Sequence, residues 1–461
     1  MRKAYEEYKA TGIQWLPKIP KHWEYKKINS LFLERKTKVS DKDYQPLSVT
    51  KSGILHQLTD AAKSSDSDNR KLVLAGDFVI NSRSDRKGSC GVSALDGSVS
   101  LINIVLEPKR KLEQLFVHYL LRCQPFSEEY YRYGRGIVAD LWTTRYSEMK
   151  SIFLPIPPRE EQEQIVRFLD WKISSINKLI NLKQQEITEL KELKKATISD
   201  AVTHGLDKTV PMKDGGISWL GKIPQHWEIL SLKHVSRINA SIANEIAKLK
   251  DLDLVTFLPM ENISETGNID CSIKRPLKEV RSGFSSFSKS DVVIAKITPC
   301  FENGKGACLD ELDTTIGFGT TELINLRANS RILPKFLYLI TVLQEFRKLG
   351  ERAMTGSAGQ KRVPLTYIKN FTIGIPPIEE QKHILLEVDK RSKSIDKCIL
   401  SKHEELKTLH DLKSSLIADV VTGKIDVRDV EIPDYEQVEE TLYKSDDNDT
   451  LQSEDEIPEE V

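Results

Sequence analysis

The chain is built on an internal repeat. TGIQWLPKIPKHWE at 11–24 returns as GGISWLGKIPQHWE at 215–228, a displacement of 204 residues. Two later stretches return at a displacement of 219: PPREEQEQIVRFLD at 157–170 as PPIEEQKHILLEVD at 376–389, and ISDAVTHGLD at 198–207 as IADVVTGKID at 417–426. The 15-residue difference has to be absorbed between the matched ends, so 25–156 and 229–375 differ in length and sequence while their frame is kept. Two domains of one shape with different surfaces suit a protein that reads two different things. A neutral tandem duplication leaves the same trace.

Each variable stretch opens with short apolar runs of strand type, DFVINS at 77–82 and DVVIAKI at 291–297, punctuated by Gly, Ser and Asp. At roughly 130 to 150 residues apiece they read as mixed α/β domains.

The helices that follow announce their starts. Pro158 and Pro377 stand where a first helical turn tolerates proline, and Glu160, Glu161, Glu379 and Glu380 suit the positive end of the helix dipole. In the first helix Leu169, Ile173, Ile176, Ile180, Ile187 and Leu190 recur in steps of three and four, interrupted at Lys183. The second carries Val388, Ser392, Ile395, Ile399, Leu406 and Leu409 on the same seam, with Lys402 answering Lys183 and Lys413 answering Lys194. Each helix runs about 44 residues, or about 65 Å at ~1.5 Å per residue. A two-fold relation between the repeats makes them antiparallel, a spacer with one domain at each end. The seam lysines either fix the register or lay their stems along it with the ammonium in water.

Composition narrows the class. The 68 basic and 68 acidic residues balance, but 427–461 holds 14 Asp and Glu against only Arg428 and Lys444, a net −12 that leaves +12 on 1–426. Such a body suits a phosphate backbone, though the excess alone does not require one. The N-terminal MRKAYEEYKATGIQWL has no apolar core behind its basic residues, and no apolar run approaches the ~18 residues of a membrane span, so a cytoplasmic protein without membrane contact is expected. Cys90, Cys123, Cys271, Cys300, Cys308 and Cys398 lie far apart without a CxxC pair, which suggests reduced thiols and neither a disulfide framework nor a zinc site. Successive faces of duplex DNA recur at about 34 Å, so two domains on a rod of this length can read two half-sites and span the sequence between them.

Taken together, PPREEQ and PPIEEQ opening paired long helices, KIPxHWE before each variable domain, and IAKITPCFENGKGA with FGTTELINLR in the second domain resemble the specificity subunits of type I restriction-modification systems. The likeness runs from about Gly12 to Asp426. It implies an α+β fold: two mixed α/β target-recognition domains, 1–156 and 207–375 with its linker, separated by two long helices, 157–206 and 376–426, that form an antiparallel coiled coil in a pseudo-two-fold internal repeat. It also implies that each domain reads one part of a split double-stranded DNA target. The helices then set the unread gap and bind two methyltransferase subunits that modify N6 of adenine, and two motor-nuclease subunits join for restriction. S-adenosylmethionine, ATP and magnesium belong to those partners, and this chain is non-catalytic.

The residues agree with a chain free of catalytic machinery. GISWLGK at 216–222 approaches a Walker loop, but Ile223 stands where a magnesium-binding Ser or Thr is needed, and the first repeat has Pro17 in place of Gly221. Pro157-Pro158 and Pro376-Pro377 lack the preceding Asn or Asp and following aromatic of a methyltransferase motif. The nine histidines form no HExxH pattern, and His22 and His226 sit in Trp-flanked structural motifs whose Trp15, Trp219, Trp23 and Trp227 look like anchors.

Base edges are read by Arg, Lys, Asn, Gln, Ser or Thr on exposed loops, so candidates are sought in the divergent middles. In the first domain these are Arg83, Arg86 and Lys87 in NSRSDRKGS and Arg135, Thr143, Thr144 and Arg145 in GRGIVADLWTTRY, where glycines allow the backbone to approach phosphate. In the second they are Lys296, Thr298, Asn303 and Lys305 in AKITPCFENGKG, Thr320 and Thr321 in FGTTE, and Ser357, Gln360, Lys361 and Arg362 in TGSAGQKR. Ordinary solvated loops have the same composition.

The tail at 427–461 is too polar to bury a core and is expected to be disordered, either as a solubilising extension or as a competitor for the basic surface. Two other readings stay open: a coiled-coil interaction scaffold that does not recognise DNA sequence, and the recognition part of a fused methyltransferase-nuclease. Absence of sequence preference favours the first, and adenosylmethionine binding by the isolated chain favours the second.

Overall fold

The PPxEEQ motif starts each long helix through its glutamine. A proline carbonyl just before a helix has no intrahelical partner. Gln162 reaches back to donate to Pro157 O at 2.9 Å and accepts from Glu113 N at 3.0 Å. Gln381 donates to Pro376 O at 2.8 Å and Arg331 O at 2.9 Å and accepts from Leu333 N at 2.8 Å. Both amides are buried, so each helix start is tied into the domain before it. From these starts run the central helix, Arg159–His204, and the distal helix, Ile378–Val421.

The structure, a computed structural model, describes residues 3–57, 68–83, 86–109, 111–136, 142–357 and 359–441. Contacts divide the chain into two units, 1–185 with 402–461, and 186–401, so each unit holds one α/β domain and one half of each long helix.

In the first unit, Phe78–Asn81 lies between Cys90–Val92 and Asn103–Pro108 in a four-stranded antiparallel sheet completed by Phe32–Glu34. Its run of apolar residues follows from burial on both faces. Phe78 and Ile80 face the main core with Phe116, Leu120 and Phe126, while Val79 packs with Val73, Val99 and Leu47 of the smaller sheet elements. In the second unit, Val292–Ala295 occupies the same place between Gly306–Cys308 and Leu323–Ala328, with Ser236–Ile238 at the edge. This unit adds a mixed four-stranded sheet, in which Leu254–Leu258 and Ile316–Gly319 run parallel, where the first has three strands. The two middles therefore differ around a shared sheet.

The KIPxHWE motif closes each unit. Trp23 and Trp227 are fully buried. His22 Nε2 lies 2.8 Å from Glu161 Oε2, and His226 Nε2 lies 2.7 Å from Glu380 Oε2. Trp227 Nε1 also donates to Glu380 Oε1 at 3.1 Å, whereas in the first unit the Tyr5 hydroxyl donates to Glu161 Oε1. Gly423, with φ +77°, follows the distal helix and lies so close to Pro20 and Trp23 that a Cβ would collide. Gly205, with φ +70°, follows the central helix, and a Cβ there would stand a tight 3.2 Å from both Trp227 and Glu380. Each domain is thus clasped by the start of its own helix and the end of the other. The Walker-like stretch 216–222 lies in the hairpin of Met212–Asp214 with Lys222–Pro224, and Trp219 stacks on Phe371 at 5.0 Å. A strand follows it, where a phosphate-cradling loop needs a helix N-terminus.

Within each unit the helices run antiparallel. In the first, Asn177 meets Lys413 and Lys183 meets Glu405; in the second, Lys194 donates to both oxygens of Asp396 at 2.7 Å. Leu169, Ile176, Ile180, Ile187 and Val388 are buried, and Ile173, Leu190, Ser392, Ile395, Ile399, Leu406 and Leu409 are half-buried. The seam lysines are partly buried and paired: Glu405 bridges Lys183 at 3.1 Å and Lys402 at 3.2 Å. Among the described residues no helix is long and apolar enough to cross a membrane.

One expectation is corrected here. Residues 427–441, read from composition as part of a disordered tail, lie extended along the first half of the central helix. Gln164 donates to Val427 O and Val430 O, Ser174 to Glu436 O, Asn177 to Val438 O and Asn181 to Glu439 O. Val438 N and Thr441 N donate back to Ser174 and Asn181. Polar side chains of the helix satisfy the strap's backbone, and Val427, Val430 and Ile432 pack on the first core. Residues 442–461 of the same tail lie outside the described residues.

Candidate nucleic-acid interface

In both domains the central strand runs into a loop that is met by a hairpin from further along the chain. In the first, Arg135 N donates to Thr143 O at 2.8 Å, Thr143 N returns to Arg135 O at 3.0 Å, and Thr144 N donates to Ser82 O at 2.9 Å, with Arg83 bridged to Thr143. In the second, Arg362 N donates to Thr355 O at 2.9 Å, Thr355 N returns to Arg362 O at 3.1 Å, and Val363 N donates to Lys296 O at 2.9 Å, with Ile297 bridged to Arg362. The strand registers extend the match: Ile104 opposite Ile80 corresponds to Ile324 opposite Ile294.

This shared backbone crossing aligns side chains that the sequences alone do not. Ser82 corresponds to Lys296, Arg83 to Ile297, Ile102 to Glu322, Arg135 to Thr355 and Thr143 to Arg362. Every pair differs in chemistry. The backbone is conserved at the crossing while the lip of the domain changes in charge, polarity and reach.

Among the described residues the first lip is cationic and aromatic. Arg83, Lys87, Arg135 and Arg145 are exposed, Arg86 and Thr143 half-buried. Lys87 Nζ sits 5.1 Å over the Tyr131 ring, which stacks on Trp142 at 6.1 Å, and Trp142 Nε1 donates to Tyr131 O at 2.9 Å. These rings were not singled out from the sequence, although Trp142 directly precedes Thr143. Leu101 and Ile102, each 40% exposed, were also missed. Two sequence readings are corrected. Thr144 is buried, donating to Tyr130 O at 3.1 Å and accepting from the Tyr130 hydroxyl at 2.9 Å, so it packs the hairpin instead of meeting DNA. Gly134, next to Arg135, makes room for Trp142 and not for phosphate, because a Cβ would collide with the indole.

The second lip mixes charges. Ser357, Gln360, Lys361, Asn303 and Thr321 are exposed. Thr298, Lys361, Lys348 and Arg352 line one cleft with Glu302 and Glu351. Thr298 Oγ1 donates to Glu302 Oε1 at 2.9 Å, Lys305 Nζ to Met260 O at 3.1 Å, and Thr320 Oγ1 accepts from Glu322 N at 3.3 Å. These three are engaged inside the domain. Arg362 donates from Nε to Glu322 Oε2 at 3.0 Å and from Nη2 to Glu322 Oε1 at 2.8 Å. That hydrogen bonding, with Lys296 nearby, holds the Glu322 carboxyl below the usual carboxylate range.

Comparison with known proteins agrees with this architecture. The type I restriction modification DNA specificity domain matches residues 20–191 and 224–407. The EcoAI type I restriction enzyme specificity subunit of Escherichia coli is 41% identical over 168 residues, 36% of this chain and 28% of that protein. The matched stretch thus spans under a third of that relative's length. The MjaVIII type I restriction enzyme specificity subunit of Methanocaldococcus jannaschii is 25% identical over 353 residues, 72% of this chain and 76% of that protein. A chain from a solved structure on complex assembly and conformational transition of the type I restriction-modification system superposes with a TM-score of 0.61 at 14% identity, covering 88% of this chain and 99% of that one, a likeness of fold. With two matched regions that repeat the sheet, the lip and the helix start, this chain belongs to the type I restriction-modification DNA specificity family.

Proposed function

We propose that this chain is the DNA-reading, non-catalytic subunit of a cytoplasmic type I restriction-modification complex. Each lip reads one part of a split, gapped and non-palindromic target, and the paired helices set the unread gap. Two methyltransferase subunits dock on the chain and modify N6 of adenine with S-adenosylmethionine. Two motor-nuclease subunits, using ATP and magnesium, complete the restriction complex. The observation that carries this reading is the repeated backbone crossing with different side chains at each equivalent position. One frame presenting two chemistries is what reading two unlike half-sites requires.

Selection from a random duplex pool by the purified complex with its methyltransferase subunits tests it. The expected outcome is two fixed blocks of sequence separated by an unselected stretch, with affinity that falls steeply as salt rises. Binding without enrichment and without salt dependence is the outcome of an interaction scaffold.

A further inference from the structure

In the second lip an arginine is paired with a carboxylate at the crossing itself. Arg362 is 43% exposed in its side chain yet is fixed in plane by a carboxylate, since Glu322 accepts from both Nε and Nη2. Both partners stand on paired backbone. Lys296 N donates to Glu322 O at 2.9 Å, and Arg362 exchanges two hydrogen bonds with Thr355. At the equivalent positions the first domain has Ile102 and Thr143.

A carboxylate at a DNA-facing lip repels phosphate, so it needs neutralising cations and a compensating use. Glu322 has Arg362 on it and Lys296 beside it. A free arginine loses several rotamers when it engages a base, and one already held by a carboxylate loses fewer. The Nε and Nη2 edge being occupied, the outer Nη1 and Nη2 hydrogens form the remaining fork. Among the described residues Nη1 makes only a long contact, 3.4 Å, to Gln360 O. Two parallel donors on a fixed plane match the O6 and N7 acceptors of guanine in the major groove.

Resting on the DNA-reading function above, we propose that Arg362 reads a guanine in the half-site of the second domain and that Glu322 is the positioning residue that aims it. Glu322 contacts Arg362 and not the base.

The test uses the complex with its methyltransferase subunits and the target defined by mapping N6-methyladenine. Arg362→Ala and Arg362→Lys are expected to loosen one guanine of one half-site, leaving the other half unchanged, with discrimination there falling about tenfold to a hundredfold. Lysine keeps the charge and loses the fork, so it does not rescue. Glu322→Gln is expected to loosen the same guanine by less and to leave every other position alone. Replacing that guanine with 7-deazaguanine removes N7 without touching the protein. It should weaken wild-type binding by about tenfold and Arg362→Ala binding not at all. Unchanged stringency in Arg362→Ala, a target without guanine, or a 7-deazaguanine penalty that persists in the variant overturns the proposal while leaving sequence reading intact. A wild-type complex with no sequence preference overturns the reading beneath it. If Arg362→Ala fails to assemble, the 7-deazaguanine scan on wild type decides alone: no sensitive guanine refutes the assignment.

Discussion

Asn177, on the central helix, donates its side-chain amide to the carbonyl of Val438 at 2.9 Å and accepts from Lys413 on the distal helix at 2.8 Å. One buried amide therefore joins both helices and the C-terminal strap. Its counterpart in the repeat is Asp396, which pairs with Lys194 directly. Where the first unit has a neutral amide, the missing charge comes from the strap, since Glu440 lies 2.7 Å from Lys413 Nζ. The strap thus completes a helix contact that the other unit makes between its two helices alone.

Removal of residues 427–461 should destabilise the first unit. It removes both strap partners of Ser174 and the Val438 carbonyl from Asn177, two buried residues, and exposes the apolar contacts of Val427, Val430 and Ile432. At about 1 kcal/mol net per hydrogen bond, the three bonds that Ser174 and Asn177 make to the strap alone contribute on the order of 3 kcal/mol. Denaturant unfolding checks it: a truncated chain with an unchanged midpoint contradicts the strap as a structural element. Asn177→Ala should cost less, about 1–3 kcal/mol.

Tyr5→Phe should be destabilising out of proportion to one oxygen atom. Its hydroxyl donates to the buried Glu161 carboxylate, the position Trp227 Nε1 takes on Glu380 in the other repeat. Burial and Glu161 both push the phenol well above its ordinary value, so it stays a donor at all working pH. A hydrogen bond to a charged group contributes about 1.5–3 kcal/mol, and a comparable fall should appear in the variant's unfolding free energy.

Acid should weaken the first domain before carboxylates titrate. Burial, reinforced by Arg122, pushes the His118 imidazole down from 6.5 to about 4. Its folded form resists the proton that its unfolded form accepts, so stability is full above about 6.5, falls as pH drops toward 4 and levels below. The loss is on the order of 3 kcal/mol. Unfolding measured from pH 7 to 4 should show this slope in wild type and a shallower one in His118→Asn.

Thiol labelling of the native chain should be selective. Cys398 is exposed, whereas burial pushes Cys90, Cys123 and Cys308 up to about 12. Few thiolates exist there at neutral pH. Mass spectrometry after brief alkylation should find Cys398 modified first and Cys90 and Cys123 only after unfolding.

The frame was legible because it depends on local patterns: the proline-glutamate starts, the three-four seam and the tryptophan motif each act within a few residues. Other features were not, because their partners are distant in sequence. Composition made 427–441 look unstructured, since what holds it are Ser174, Asn177 and Asn181, about 260 residues earlier. Glu322 meets Arg362 across 40 residues, and Thr144 is buried by Tyr130 on the preceding helix. Loop composition pointed to stretches that the fold brings together at the crossing, but it does not separate exposed side chains from packed ones, which takes the register of the crossing.

Two unlike lips on one repeated frame should leave their mark in N6-methyladenine mapped in DNA from cells co-expressing this chain with the methyltransferase subunit proposed as its partner. The expected result is one motif of two dissimilar blocks separated by a fixed unread gap, with one adenine modified on each strand. A contiguous motif, or a palindrome with identical halves, would contradict it.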